Sequence, residues 1–221
     1  MKKPVTPFIA DKGVTHKDES RYKTIPLVDE NYSIFAYNRV EALNAYIDGS
    51  ISCHAWNKLY KRNCFETIRY PVSHVYEDID TTYKVLDIAD RIAIIDTPLV
   101  MHRKRPGSIT EEYTLASAKD RDRAKSHVAA FVKQNTPAIF SEKQKQKVAR
   151  AHLIGTLDTY LRIGKDAWQY RDTVLQVTKE VDLKQCDFKT QIKYFLFYHC
   201  PGLYITIYKL LRIIKKRIGM I

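Results

Sequence analysis

The sequence predicts an α/β protein in which a core of few strands is followed by a helical region. In the first half, short β-branched runs alternate with helical periodicity, whereas the second half has helical spacing almost throughout. With 221 residues, the chain is long enough for one sizeable core and a smaller second unit. We divide it into three zones: residues 1–112, 113–187 and 188–221.

The first zone contains two predicted helices and two predicted strands. One helix covers residues 39–47 and ends at the turn pair Asp48-Gly49. Another begins at residues 76–78, where acidic side chains suit the positive end of the helix dipole. Its apolar positions recur at helical spacing: Ile79, Tyr83, Leu86 and Ala89. Residues 91–96 are predicted to form a buried strand, and residues 98–102 a second strand.

The second zone is predicted to be a supporting layer of helices. Two pairs fit the capping box that starts a helix: Ser108 with Glu111, just before this zone, and Ser141 with Gln144 within it. Five apolar residues then form a stripe: Val148, Ala151, Ile154, Leu157 and Leu161. No catalytic spacing occurs there, and the acids of residues 120–122 are expected to face solvent.

The tail, residues 188–221, combines an apolar helical face with positive charge. No residue between Lys193 and Lys209 carries a formal charge, but this span is shorter than the roughly 18 to 20 residues that cross a membrane. The apolar face comprises Leu203, Ile207, Leu211, Ile214 and Ile218. The basic residues beside it are Lys209, Arg212, Lys215 and Lys216. Such a helix lies on an anionic membrane surface or packs on the protein with a solvated basic face, and the sequence favours neither alternative.

Charge and cysteine content restrict the partners and the location of the chain. A formal net charge of +12 favours anionic partners. Nucleic acid is disfavoured among them, because no helix-turn-helix, zinc-finger or RRM signature occurs. The four cysteines lack C-x-x-C spacing, which indicates reduced thiols. Residues 1–4 are not followed by the apolar run that a signal peptide would have. We expect a cytoplasmic protein, placed peripherally on the inner face of the membrane if the tail binds lipid.

Four motif blocks follow one another in the first zone: residues 56–62, 76–84, 95–99 and 103–110. Their residues and order resemble the second half of bacterial family 2 glycosyltransferases, which are inverting enzymes of the GT-A fold. The resemblance covers roughly residues 30–112. It implies a partial GT-A core, the acceptor-side half of such an enzyme, working on a nucleotide-sugar and a glycan or lipid-linked acceptor in cell-surface polysaccharide biosynthesis.

The resemblance also implies roles for particular residues. An inverting transfer needs a carboxylate that takes the proton of the attacking hydroxyl. The resemblance implies that the acid pair Glu77-Asp78 supplies this base and that Asp78 is the residue that accepts the proton. The alternative is that both acids only complement the dipole at the helix start. Trp56 lies beside the acceptor or in the core. Asn57 and Lys58 touch the acceptor or fix their loop.

The last block contains candidate ligands for the leaving group and for a metal. Arg103 and Arg105 fit a diphosphate clamp, because paired guanidinium groups match phosphate geometry, and a solvated basic loop is the alternative. His102 stands on a strand where some GT-A enzymes place a metal-binding histidine. A lone histidine is more often a satisfied polar residue.

The resemblance lacks the donor side. Nothing before Tyr32 resembles the strand–helix repeats that bind the nucleotide, and the acids of residues 78–80 occupy the acceptor-side motif instead of the metal-binding Asp-x-Asp. The Mg²⁺ or Mn²⁺ of the complete enzyme is therefore not expected to bind this chain alone. We expect a truncated or split transferase, inactive without a donor-binding partner chain. The alternative is a non-catalytic remnant that acts as a membrane-surface or protein-interaction module.

Overall fold

A mixed α/β architecture with few strands is present, as the sequence predicts. The computed structural model describes residues 6–7, 14–16, 34–95, 101–103 and 113–217, and it describes the backbone alone for residues 6–7, 14–16, 101–103 and 216. The chain forms two compact units. Unit 1 comprises Met1–Glu112 and Ala130–Gln144, and unit 2 comprises Tyr113–Ala129 and Lys145–Ile221.

The strands of unit 1 form two small sheets. Their bounds are β1 Thr6–Pro7, β2 Val14–His16, β3 Ile34–Asn38, β4 Arg91–Ile95 and β5 Met101–Arg103. Strand β4 lies between β1, to which it is parallel, and β3, to which it is antiparallel. It buries Ile92 and Ala93, which confirms the predicted buried strand. Strand β2 pairs in parallel with β5, whereas residues 98–100 of the second predicted strand lie outside the described residues.

Two helices of unit 1 are α1, Arg39–Asp48, and α2, Glu77–Ile88. Helix α1 begins with a capping box in which the Asn38 side chain accepts from the Glu41 amide at 2.9 Å. It ends at Gly49, whose φ of 91° lies in the left-handed region that favours glycine. Both ends agree with the predicted helix to within a residue or two.

Helix α2 presents the predicted apolar face to the core of unit 1. Ile79, Tyr83 and Leu86 are all buried. The Tyr83 ring packs on Phe131 with centroids 4.9 Å apart, and Phe131 contacts Phe140 edge-on at 5.9 Å. The start of α2 is therefore attached to a packed core.

Helices make up the described part of unit 2. Their bounds are α3 Leu115–Gln134, α4 Glu142–Arg162, α5 Arg171–Thr178, α6 Phe188–His199 and α7 Pro201–Arg217. Helices α3 and α4 also extend into unit 1. Among the core residues of unit 2 are Leu153, Leu157, Tyr160, Val174, Phe197 and Tyr204. The capping box at Ser141 and Gln144 is confirmed by reciprocal hydrogen bonds of 3.0 and 3.3 Å, whereas Ser108 and Glu111 lie outside the described residues.

Two predictions for the helical zone are wrong in detail. Ala151 of the predicted apolar stripe is exposed, and the polar residues His152 and Thr156 are buried in its place. Asp122, expected to face solvent, has a side chain only 16% exposed and lies 2.8 Å from His152 Nε2. The hydrogen bond between the two side chains satisfies their polar groups and allows them to be buried. Apolar spacing alone does not predict polar residues on the buried face of a helix.

Candidate functional site

Asp78 lies in the first turn of α2, after a loop with an unusual backbone. Ser73 and Tyr76 have φ values of 63° and 62°. This left-handed conformation costs a residue with a side chain roughly 1 to 2 kcal/mol. The Asp78 side chain is 21% exposed, and its Oδ1 accepts a hydrogen bond from the Ile79 amide at 2.8 Å. Surrounding contacts therefore hold the loop in a disfavoured conformation immediately before a partly exposed carboxylate.

The loop of residues 52–58 brings an imidazole and an indole to this carboxylate. His54 Nδ1 lies 3.6 Å from Asp78 Oδ2. The His54 ring stacks on Trp56, with centroids 5.2 Å apart and planes 15° from parallel. Because Trp56 is 41% exposed, part of its side chain is accessible to solvent and it does not belong to the core. Asp78 and Trp56, from two separate motif blocks, thus form one continuous surface with His54, which lies just before the first of these blocks.

Asn57 and Lys58 are buried beneath that surface, with exposures of 1% and 8%. The Lys58 ammonium donates to the His54 carbonyl at 2.6 Å and to Asn57 Oδ1 at 2.7 Å. Asn57 Nδ2 donates to Ser52 Oγ at 2.9 Å. These contacts favour the loop-fixing role that the sequence left open, because the polar groups of both side chains point into the loop.

The surroundings of Asp78 combine positive charge with tyrosine hydroxyls. Burial lowers the pKa of Lys58 to about 8, although the charges of Cys53 and Asp78 act in the opposite direction. Burial raises the pKa of Tyr60 and of Tyr70, and the Asp78 carboxylate adds to both increases. Asp78 is therefore close enough to an ammonium and to two phenols to influence their ionisation.

Three aromatic rings are clustered near Asp78, one from the motif block of residues 56–62 and two from the segment that follows it. Phe65 packs edge-on against Tyr60 at 5.2 Å and stacks on Tyr70 at 5.7 Å. Aromatic faces commonly bind sugars, and the Asp78 charge adds to the raised pKa of both tyrosines in the cluster. Together with Trp56, the cluster supplies aromatic surface close to the carboxylate.

One hydrogen bond joins α2 directly to the loop. The buried Thr82 hydroxyl donates to the Cys53 carbonyl at 2.8 Å. One side-chain ligand atom each of Cys53, His54 and Asp78 lies within 4.8 Å of the other two. The sequence indicated no role for Cys53 or His54, because an adjacent cysteine and histidine and an acid more than twenty residues later match no known metal-ligand spacing. Only the dense aromatic and basic character of their segment was visible.

The other predicted site residues are Glu77, His102, Arg103 and Arg105. Glu77 begins α2, and its charge contributes to the raised pKa of Tyr70, for which burial is the larger cause. Strand β5 places the His102 and Arg103 backbones opposite Thr15 and His16 of β2, with their side chains outside the description. Arg105 lies outside the described residues altogether.

Comparisons with known proteins do not add a family to this description. No family model matches the chain, and a search of curated proteins finds no match. None of the helices in the described part of the chain has the length and apolar character needed to cross a membrane. Fold and site together define a mixed α/β protein with few strands and a partly exposed carboxylate–imidazole–indole surface.

Proposed function

We propose that this chain is the acceptor-side portion of an inverting family 2 glycosyltransferase of the GT-A fold. One observation carries the proposal. The carboxylate of Asp78 and the exposed ring of Trp56, which belong to different motif blocks, meet through the His54 ring. An acid pair that served only the helix dipole would require no aromatic platform beside it.

In the proposed reaction Asp78 is the general base and Glu77 supports the helix start. The acceptor sugar packs on Trp56, and its hydroxyl oxygen attacks the anomeric carbon of the donor from the face opposite the diphosphate. The hydroxyl proton moves to the Asp78 carboxylate, a new glycosidic bond forms, and the bond to the diphosphate breaks. Arg103 and Arg105 are proposed to neutralise the leaving diphosphate.

The donor side of the reaction requires another polypeptide segment in this proposal. The nucleotide-sugar and its Mg²⁺ or Mn²⁺ bind to a donor-binding partner chain or to a fused domain. Residues 1–221 alone are proposed not to transfer sugar. The location of the chain in the proposal is the cytoplasm, at the inner face of the membrane.

The acceptor platform is testable on the isolated chain, because its two tryptophans, Trp56 and Trp168, are 41% and 72% exposed. Two single-tryptophan variants, Trp168→Phe and Trp56→Phe, are titrated with a panel of oligosaccharides. A saturable fluorescence change is expected from Trp56, with Trp168 as the exposed control. Equal responses of the two tryptophans, or none from Trp56, would remove the acceptor platform from the proposal.

The second candidate function, a membrane-surface module, is favoured by helix α7. Its first half packs on the core of unit 2 through Tyr204, Ile205 and Tyr208. Its second half exposes four apolar side chains: Leu210, Leu211, Ile213 and Ile214. Lys209, Arg212 and Lys215 are exposed among them, and no acidic residue follows Asp187. Apolar and basic groups on one exposed helix complement an anionic lipid surface.

Liposome flotation tests this second function. Each basic residue near an acidic leaflet contributes about 1 kcal/mol, so replacing both Lys209 and Arg212 by Gln is expected to weaken binding about 30-fold. A matched pair, Lys165→Gln and Lys184→Gln, removes two exposed charges elsewhere in unit 2. Equal binding to neutral and anionic vesicles, or equal losses for the two pairs, would rule out a charge-directed membrane surface on α7.

A further inference from the structure

We propose that Cys53, His54 and Asp78 form a binding site for a zinc ion with a coordination position open to solvent. The three residues supply a thiolate, an imidazole nitrogen and a carboxylate oxygen. All three ligand types are common for Zn²⁺, and three protein ligands with an open position are typical of reactive rather than structural zinc sites. The assignment goes beyond the proposed transferase and does not depend on it.

The distances between the ligand atoms fit one shared ion. Zinc bonds of about 2.0 to 2.1 Å to nitrogen and oxygen at tetrahedral angles place those two atoms about 3.3 Å apart. His54 Nδ1 and Asp78 Oδ2 are 3.6 Å apart, which is beyond the usual length of a direct hydrogen bond. With the thiol sulfur of Cys53, these groups lie within 4.8 Å of one another. Zinc bonds of about 2.3 Å to sulfur place it about 3.6 Å from the nitrogen or oxygen, so the three ligand atoms draw closer together when the ion binds.

The backbone of the two loop ligands is already fixed. The Cys53 carbonyl accepts from the Thr82 hydroxyl at 2.8 Å, which attaches this ligand to the helix that carries Asp78. The His54 carbonyl accepts from the Lys58 ammonium at 2.6 Å. These contacts hold the backbone that carries both ligand side chains, which reduces the ordering that binding requires. The half-exposed His54 side chain leaves the ion a path from solvent.

The chemistry of the site selects the metal. Lys58 places a positive charge close to Asp78 and Cys53, so a cation binds only if its ligand bonds outweigh that repulsion. Thiolate and imidazole bind Zn²⁺ strongly, whereas Mg²⁺ and Mn²⁺ prefer oxygen ligands. Binding displaces the Cys53 thiol proton to solvent. One consequence does rest on the proposed function: a zinc-bound Asp78 cannot accept a proton, so the zinc form of the transferase would be inactive.

Cobalt substitution on the chain alone tests the site. Co²⁺ is titrated into metal-free protein, and one ion per chain is expected, with a near-ultraviolet thiolate-to-cobalt band that Zn²⁺ abolishes. The band should disappear in Cys53→Ser and persist in Cys200→Ser, a partly exposed cysteine of unit 2. Binding without the thiolate band, or no stoichiometric binding, would overturn the assignment.

Zinc affinity, measured by competition with a chromophoric chelator, tests the other two ligands. His54→Gln and Asp78→Asn are each expected to weaken binding at least about 100-fold, whereas Glu77→Gln should leave it nearly unchanged. His54 is exposed, so its substitution tests the site even if Cys53→Ser does not fold. Wild-type affinity in His54→Gln would refute the site. These measurements involve no sugar, so failure of the proposed transferase would leave them unaffected.

Discussion

The hydrogen bond from Thr82 to the Cys53 carbonyl provides a sharp test of how the candidate site is assembled. Thr82→Val keeps the side-chain shape and removes the hydroxyl that joins α2 to the loop. A net hydrogen bond contributes about 1 kcal/mol, and a carbonyl that loses its donor away from solvent costs up to about 3 kcal/mol. Thr82 has no exposed surface and Cys53 is only partly exposed, so solvent replaces the lost donor incompletely. We expect the unfolding free energy of unit 1 to fall by about 1 to 3 kcal/mol.

The neighbouring Thr81 is a matched control. It is equally buried, but its hydroxyl has no hydrogen-bond partner within the part of the chain that the structure describes. Thr81→Val therefore removes an unsatisfied polar group and should leave stability unchanged or raise it by up to about 1 kcal/mol.

Urea denaturation in a Trp168→Phe background lets Trp56 report the unfolding of unit 1. Both variants are compared with the Trp168→Phe parent at fixed temperature and pH. Equal losses in Thr82→Val and Thr81→Val would indicate that the loss of stability does not come from the Thr82 hydrogen bond. A neutral Thr82→Val would refute the reasoning, because the bond to Cys53 would then contribute nothing.

Two further predictions concern the donor side and the strained loop. The isolated chain is expected not to bind UDP-sugars, because its sequence before Tyr32 resembles no nucleotide-binding repeats. Calorimetry that shows metal-dependent binding at micromolar concentration would contradict this prediction. Ser73→Gly is expected to raise the unfolding free energy by about 0.5 to 1 kcal/mol, because the exposed Ser73 has a φ of 63°. Thermal unfolding measures the change, and a clear loss of stability would indicate that the Ser73 side chain makes a contact outweighing the strain.

Local signals predicted much of the fold. The turn at Asp48-Gly49 and the acidic start of α2 placed two helix ends, because a glycine cap and the interaction of acids with the helix dipole both depend on neighbouring residues. The α4 stripe failed where a tertiary contact intervened. Burial of His152 depends on Asp122, which is supplied by another helix and is invisible to apolar periodicity.

The candidate site was predicted in part. The motif blocks singled out Asp78 and Trp56, and the fold brings them close together. His54, which connects them, was missed because its role comes from a contact with Asp78 that no local spacing encodes. The burial of Lys58 was also unforeseen, because a lysine in a basic segment ordinarily faces solvent.

The central claim, that Asp78 accepts the proton of the attacking hydroxyl, is tested most directly by kcat in a preparation that contains the donor-binding half. That half is supplied as a partner chain or as a fused donor domain from a family 2 enzyme. Asp78→Asn keeps the shape of the side chain and removes its basicity, so kcat is expected to fall about 10²- to 10⁴-fold with donor affinity nearly unchanged. Glu77→Gln, the adjacent control, should have a milder effect. Full activity in Asp78→Asn with loss of activity in Glu77→Gln would assign the base to Glu77, and full activity in both variants would contradict the account.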